Sequence, residues 1–159
     1  MNAIETQQLT RTFGSRVAVD SLTLAIPEST VFGFLGPNGA GKTTTVRMLS
    51  ALIAPSNGRA MVNGYELGAN DGLIRQSVGI LTEVPGLYDR LTALQNLVFF
   101  ARLYGLSSHR ATQQAERYLR MLDLWERRDE RVGGFSKGMR QKLAIVRALL
   151  HEPLLQHCR

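Results

Sequence analysis

Apolar and β-branched runs dominate the first 35 positions. Ile4–Leu9, Leu22–Ile26 and Val31–Leu35 are short, and Gly14-Ser15 and Pro27-Glu28 break the chain between them. Such runs, bounded by turn residues, predict strands. From Lys42 the period changes. Val46, Leu49 and Ile53 fall on one helical face, which predicts a helix over Lys42–Leu52. Pro55-Ser56-Asn57-Gly58 reads as a turn, and residues 59–81 are mixed, with a strand expected at Val78–Leu81.

The pattern becomes helical after Gly86. Thr92-Ala93-Leu94-Gln95 matches a capping box, and the helix it opens should run to about Tyr104. A second helix is expected from Ser108 to Leu122, with Ala115, Leu119 and Leu122 on one side. Residues 87–132 thus read as a small helical insertion that Gly133-Gly134 ends. A last helix is expected from about Ser136 to His151, where Met139, Leu143, Val146 and Leu150 form an apolar stripe.

Composition narrows the class. The chain has 159 residues, 44% hydrophobic and 20% charged, as a globular domain does. No apolar run approaches the ~18–20 residues that span a bilayer. Met1–Thr10 has no basic stretch followed by an apolar core, so a cytoplasmic location is expected. Cys158 is the one cysteine, which excludes an internal disulfide, and His109, His151 and His157 are scattered and read as surface residues. The net charge of +6 raises the question of nucleic acid. The sign alternates through Glu126–Arg131, as on a solvated face, so no nucleic-acid partner is expected.

One motif carries specific chemistry. Gly36-Pro37-Asn38-Gly39-Ala40-Gly41-Lys42-Thr43 fits G-x-x-x-x-G-K-[ST] at every fixed position, after an apolar run and before a helix. Glycines let backbone amides turn inward around an anion. The helix start adds unpaired N–H groups and the positive end of its dipole. Lys42 adds a full charge near the β- and γ-phosphates, and the Thr43 hydroxyl can ligate Mg²⁺.

Beyond this loop, the chain resembles the nucleotide-binding domain of ABC transporters over roughly residues 3–155, in particular the ATP-binding subunits of bacterial ABC-2-type exporters. The resemblance implies an α/β P-loop NTPase fold with an N-terminal antiparallel β portion, a partial RecA-like core, a helical subdomain and an incomplete central sheet. It divides the chain into a β portion and P-loop core (1–86), a helical subdomain (87–135), a signature helix (136–155) and a tail outside the family pattern (156–159). It implies ATP and Mg²⁺ as cofactors, with Asn38, Gly39, Ala40, Gly41, Lys42, Thr43 and Thr44 holding the nucleotide and Thr43 the metal. Phe13 sits where the family places an aromatic ring on the adenine. Phe135-Ser136-Lys137-Gly138-Met139 is similar to the family's L-S-G-G-Q signature, so Ser136 and Gly138 would face a γ-phosphate held by a partner subunit. Lys137 and Met139 depart from the commonest version. Where the family usually has a metal-contacting glutamine, this chain offers Glu83, whose carboxylate can also ligate Mg²⁺. The implied partners are transmembrane permease subunits and a second nucleotide-binding subunit, as a homo- or heterodimer through the signature. The implied place is peripheral, at the inner face of the cell membrane.

After Glu152-Pro153-Leu154-Leu155 the family continues with an apolar strand ending in Asp-Glu, the Walker B aspartate and the catalytic glutamate. Here the chain reads Gln156-His157-Cys158-Arg159. No catalytic residue is therefore assigned, and a C-terminally truncated, non-hydrolysing chain with an open sheet edge is expected. The expected function is ATP binding in a transport-coupled subunit. The alternatives are a non-catalytic or interfering nucleotide-binding fragment, and the ABC-type ATPase head of a DNA-repair protein. The short helical insertion, with no heptad run, disfavours the last.

Overall fold

Two long strands open the chain and pair along their whole length. In the computed structural model, which describes residues 1–82 and 84–158 and the side chains to residue 156, these are β1 (Asn2–Phe13) and β2 (Arg16–Pro27). Their register runs from Asn2 opposite Pro27 to Phe13 opposite Arg16, with bulges between. The hairpin carries polar residues such as Gln7 and Gln8 into the ladder, so both strands outrun the apolar runs that predict them. β1 also pairs antiparallel with β3 (Asn57–Val62), which pairs with β4 (Tyr65–Glu66), giving the order β2-β1-β3-β4. Asn57 and Gly58 thus begin a strand, and the turn expected over Pro55–Gly58 ends two residues earlier, at Ser56. Ile4, Leu9 and Val62 are buried.

The chain divides into two compact units, Met1–Val78 and Gly79 onward. The first also holds α1 (Lys42–Leu49) and α2 (Asp71–Ser77). α1 stops three residues short of the expected Leu52. Ser50 bonds back to Val46 O through both its backbone N–H, at 3.0 Å, and its hydroxyl, at 2.8 Å. Ala51 then turns into the left-handed region at φ +52°. α2 was not expected at all; it buries only Ile74 and Ser77, too few positions to show a period.

Val31–Leu35 is not a strand. Val31 and Leu35 are 106% and 93% exposed. A run of Val, Phe and Leu becomes a strand only where a neighbouring backbone takes its ladder bonds, and no described segment does so.

The second unit is a three-helix cluster with a small sheet. β5 (Val78–Leu81) lies where the sequence predicts it and pairs with β6 (Leu155–Cys158), a strand in place of the polar tail read from the sequence. α3 (Ala93–Leu103), α4 (Ser108–Met121) and α5 (Lys137–Leu149) share one core. Ala93 and Ala101 of α3 and Ala111 and Ala115 of α4 all belong to it, and such small residues let helices approach closely. Leu143, Val146 and Leu150 complete it from the last helix, so 136–155 and 87–135 share a hydrophobic interior. The expected capping box is present: Gln95 N donates to Thr92 Oγ1 at 3.1 Å and Thr92 N donates to Gln95 Oε1 at 2.9 Å. Among the described residues, no helix is long and apolar enough to cross a membrane.

Candidate functional site

The glycine-rich loop turns through Asn38, Gly39 and Ala40 and enters α1 at Lys42. Gly41 is the helix N-cap in the left-handed conformation, at φ +84°, and offers no side chain to cap the first turn. A Cβ there would meet the Ala18 carbonyl oxygen of β2 at 2.4 Å. Glycine is therefore required twice over, by conformation and by the close approach of another backbone. This contact seats the helix start against the first hairpin.

Lys42 folds back over the loop. Its ammonium donates to the carbonyls of Gly36 and Pro37, both at 2.7 Å. An ammonium has three donors, so one stays available to an anion. The three threonines that follow have separate uses. Thr45 is buried and its hydroxyl donates back to Gly41 O at 3.1 Å. Thr43 and Thr44 are half-buried, and among the described residues the Thr43 hydroxyl has no hydrogen-bond partner. The donor set is that of an anion site: a cationic side chain, uncapped amides and a free hydroxyl at the positive end of a helix.

Phe13 ends β1 at the hairpin and is 48% exposed. The Arg11 guanidinium lies over its ring, with Cζ 4.5 Å from the centroid. Glu83 lies outside the described residues, so its metal role is an expectation from sequence.

The second candidate helix start belongs to the second unit. Ser136 is the N-cap of α5, and its hydroxyl accepts from Met139 N at 3.3 Å. Gly138 lies in the first turn, and a Cβ there would meet nothing within 4 Å. The segment leading in is well fixed. Val132 N donates to Leu91 O and Gly133 N to Asp89 O, each at 3.0 Å. Arg140 then bonds Val132 O at 3.1 Å and pairs with Asp89 at 2.7 Å. Asn96, fully buried, holds the other side of that segment through Tyr88 and Thr92.

Further along α5, Arg147 donates to Gly86 O at 3.1 Å and lies over the Phe100 ring. Burial lowers the Arg147 pKa, with Tyr104 opposing. Burial raises that of Tyr104, with Arg147 opposing. Near neutral pH this leaves a charged guanidinium beside a neutral phenol.

Asn38–Thr44 therefore form one continuous loop and helix start, and Ser136 and Gly138 another. Arg11 and the Asp89–Arg140 pair are additions that motif matching missed. Arg11 had a faint signal, since residues two apart on a strand share a face. Arg140 had one too, four residues after the N-cap.

Comparison with known proteins bears on the family and the fold. The ABC transporter family profile matches residues 19–157. The ABC transporter ATP-binding protein NatA of Bacillus subtilis (strain 168) is 45% identical over 137 residues, 86% of this chain and 56% of that protein. The bacitracin transport ATP-binding protein BcrA of Bacillus licheniformis is 41% identical over 152 residues, 96% of this chain and 49% of that one. The chain thus spans about half the length of the curated relatives it matches. A solved structure of an ATP-binding subunit of an ABC transporter superposes with a TM-score of 0.86 at 31% identity, over 98% of this chain and 65% of that one. With a family match over most of its length and the fold to go with it, the chain belongs to the ABC transporter family, among its ATP-binding subunits.

Proposed function

We propose that this chain binds ATP as its Mg²⁺ complex at Asn38–Thr44, with Phe13 against the adenine. The observation that carries the reading is the head of α1, where left-handed Gly41 sits against Ala18 O beneath Lys42. Lys42 and the first-turn amides hold the phosphates, and the Thr43 hydroxyl supplies one metal ligand. Among the described residues no group of three or more His, Cys, Asp or Glu could hold a metal on its own. Glu83 is proposed as a further ligand, from sequence.

In the intact protein this binding is coupled to transport across a membrane. Two ATP-binding subunits pair, each lending its Ser136–Gly138 helix start to the other's nucleotide, and act on transmembrane permease subunits at the inner face of the membrane. Gly138 supports the pairing. Nothing within the second unit requires a glycine there, and a glycine in a helix costs about 1 kcal/mol relative to alanine. A close approach from outside the chain accounts for it. Gly138→Ala is therefore expected to raise the melting temperature of the isolated chain slightly and to weaken ATP-dependent association with a full-length homologous subunit. A loss of stability on this change would point to an internal role for the glycine instead.

Calorimetric titration of the folded chain with MgATP tests the reading. A folded chain that binds no MgATP sinks the proposal.

A further inference from the structure

Arg11 is placed to do more than support a strand. Its Nη1 donates to the Ala54 carbonyl at 2.8 Å, and its guanidinium lies over Phe13. Its Nε is buried with no hydrogen-bond partner among the described residues. The side chain is thus held by one backbone oxygen on one side and one aromatic face on the other. The strand end around it is stitched to the same loop. Thr12 N and Thr12 Oγ1 both donate to Ser56 Oγ at 3.1 Å, and Ser56 N donates to Thr10 O at 2.8 Å. That loop follows α1, the helix that carries Lys42.

A half-exposed phenylalanine at a hairpin corner would ordinarily sample several rotamers. The guanidinium restrains that freedom from one face of the ring, and the half-exposed ring keeps surface on which a planar base can stack. A cation on the rear face also draws π-density away from the front, which eases stacking on an electron-rich base.

We propose that Arg11 is a positioning residue of the nucleotide site, which fixes the Phe13 ring as a platform for the adenine base and is itself fixed by Ala54. The inference rests on the reading of Phe13 as the base-stacking residue. Arg11 would then act on the base and not on the phosphates, and this separates it from a residue that merely supports the fold.

The test compares MgATP with magnesium tripolyphosphate, which has the phosphates and no base. Wild type, Arg11→Gln, Arg11→Lys, Phe13→Ala and the double variant Arg11→Gln/Phe13→Ala are titrated with each. Arg11→Gln is expected to weaken ATP about 3- to 10-fold and to leave tripolyphosphate unchanged. Arg11→Lys, which keeps the cation, should recover part of the loss. In the Phe13→Ala background, Arg11→Gln should have no further effect on ATP. Equal weakening of both ligands by Arg11→Gln, or additive losses in the double variant, overturns the inference and leaves the Phe13 reading standing. ATP affinity unchanged by Phe13→Ala removes the Phe13 reading and this inference together. A wild-type chain that binds neither ligand removes the phosphate-loop reading itself.

Discussion

Gly41→Ala is expected to abolish MgATP binding and to destabilise the first unit by about 3 kcal/mol or more. Two penalties combine. The first is the left-handed backbone at φ +84°, which costs a residue with a Cβ about 1 kcal/mol. The second is the Ala18 oxygen at 2.4 Å, which is backbone and cannot swing aside. Relief requires β2 and the start of α1 to separate, and that displaces the amides meant to hold phosphate. Lys42→Met is the informative contrast. It removes the charge and two hydrogen bonds to Gly36 and Pro37 but strains no backbone. Its expected stability loss is about 1 kcal/mol or less, because the bonds are exposed. Its expected loss of MgATP affinity is about 100-fold, from the charge-assisted contacts a phosphate would make. Thermal melts and calorimetric titrations of both variants check this. If Lys42→Met binds MgATP as wild type does, phosphate is not held where we place it.

The contrast also marks what the sequence could reveal. The glycine-rich loop and the helix start after it were legible because their residue types and spacing form a local signal, whatever surrounds them. The three helices of the second unit were legible because their apolar stripes and the Thr92–Gln95 box are local signals, and the stripe of α5 lies where the spacing of Leu143, Val146 and Leu150 puts it. Val31–Leu35 was misread because a strand is a property of two segments, and apolar character in one cannot reveal whether the other is there. α2 was missed because two buried positions in seven residues display no period. At the candidate site the glycine-rich loop and the two helix starts were legible, and the residues that brace them were not. Arg11 acts through a carbonyl 43 positions away, at Ala54, which no local pattern encodes.

Asn96 is the strongest case of such a hidden role, and Asn96→Leu is expected to destabilise the second unit by about 2–4 kcal/mol. In the sequence it is one more polar residue beside the capping box. In the structure it is fully buried, its Oδ1 accepts from Tyr88 N at 2.8 Å, and its Nδ2 donates to Tyr88 O and Thr92 O, each at 3.0 Å. Leucine fills a similar volume but leaves Tyr88 N without its partner and removes one bond each from Tyr88 O and Thr92 O, which keep only the backbone N–H groups of Leu91 and residue 96; an unsatisfied buried group costs more than a bond is worth when made. The neighbouring Gln95 provides the control. Its Oε1 bond to Thr92 N is exposed, so Gln95→Ala should cost about 1 kcal/mol or less. The difference should reach beyond stability. Asn96 closes the segment whose Asp89 and Leu91 carbonyls hold Gly133 and Val132, just ahead of Ser136. Loosening it frees the helix start that we propose faces the partner's nucleotide. Asn96→Leu is therefore expected to lower the melting temperature by on the order of 10 °C. It should also weaken ATP-dependent pairing with a full-length subunit at temperatures where the chain is still folded, while Gln95→Ala leaves pairing intact. Equal melting temperatures for the two variants would show that the buried amide does not hold the segment together.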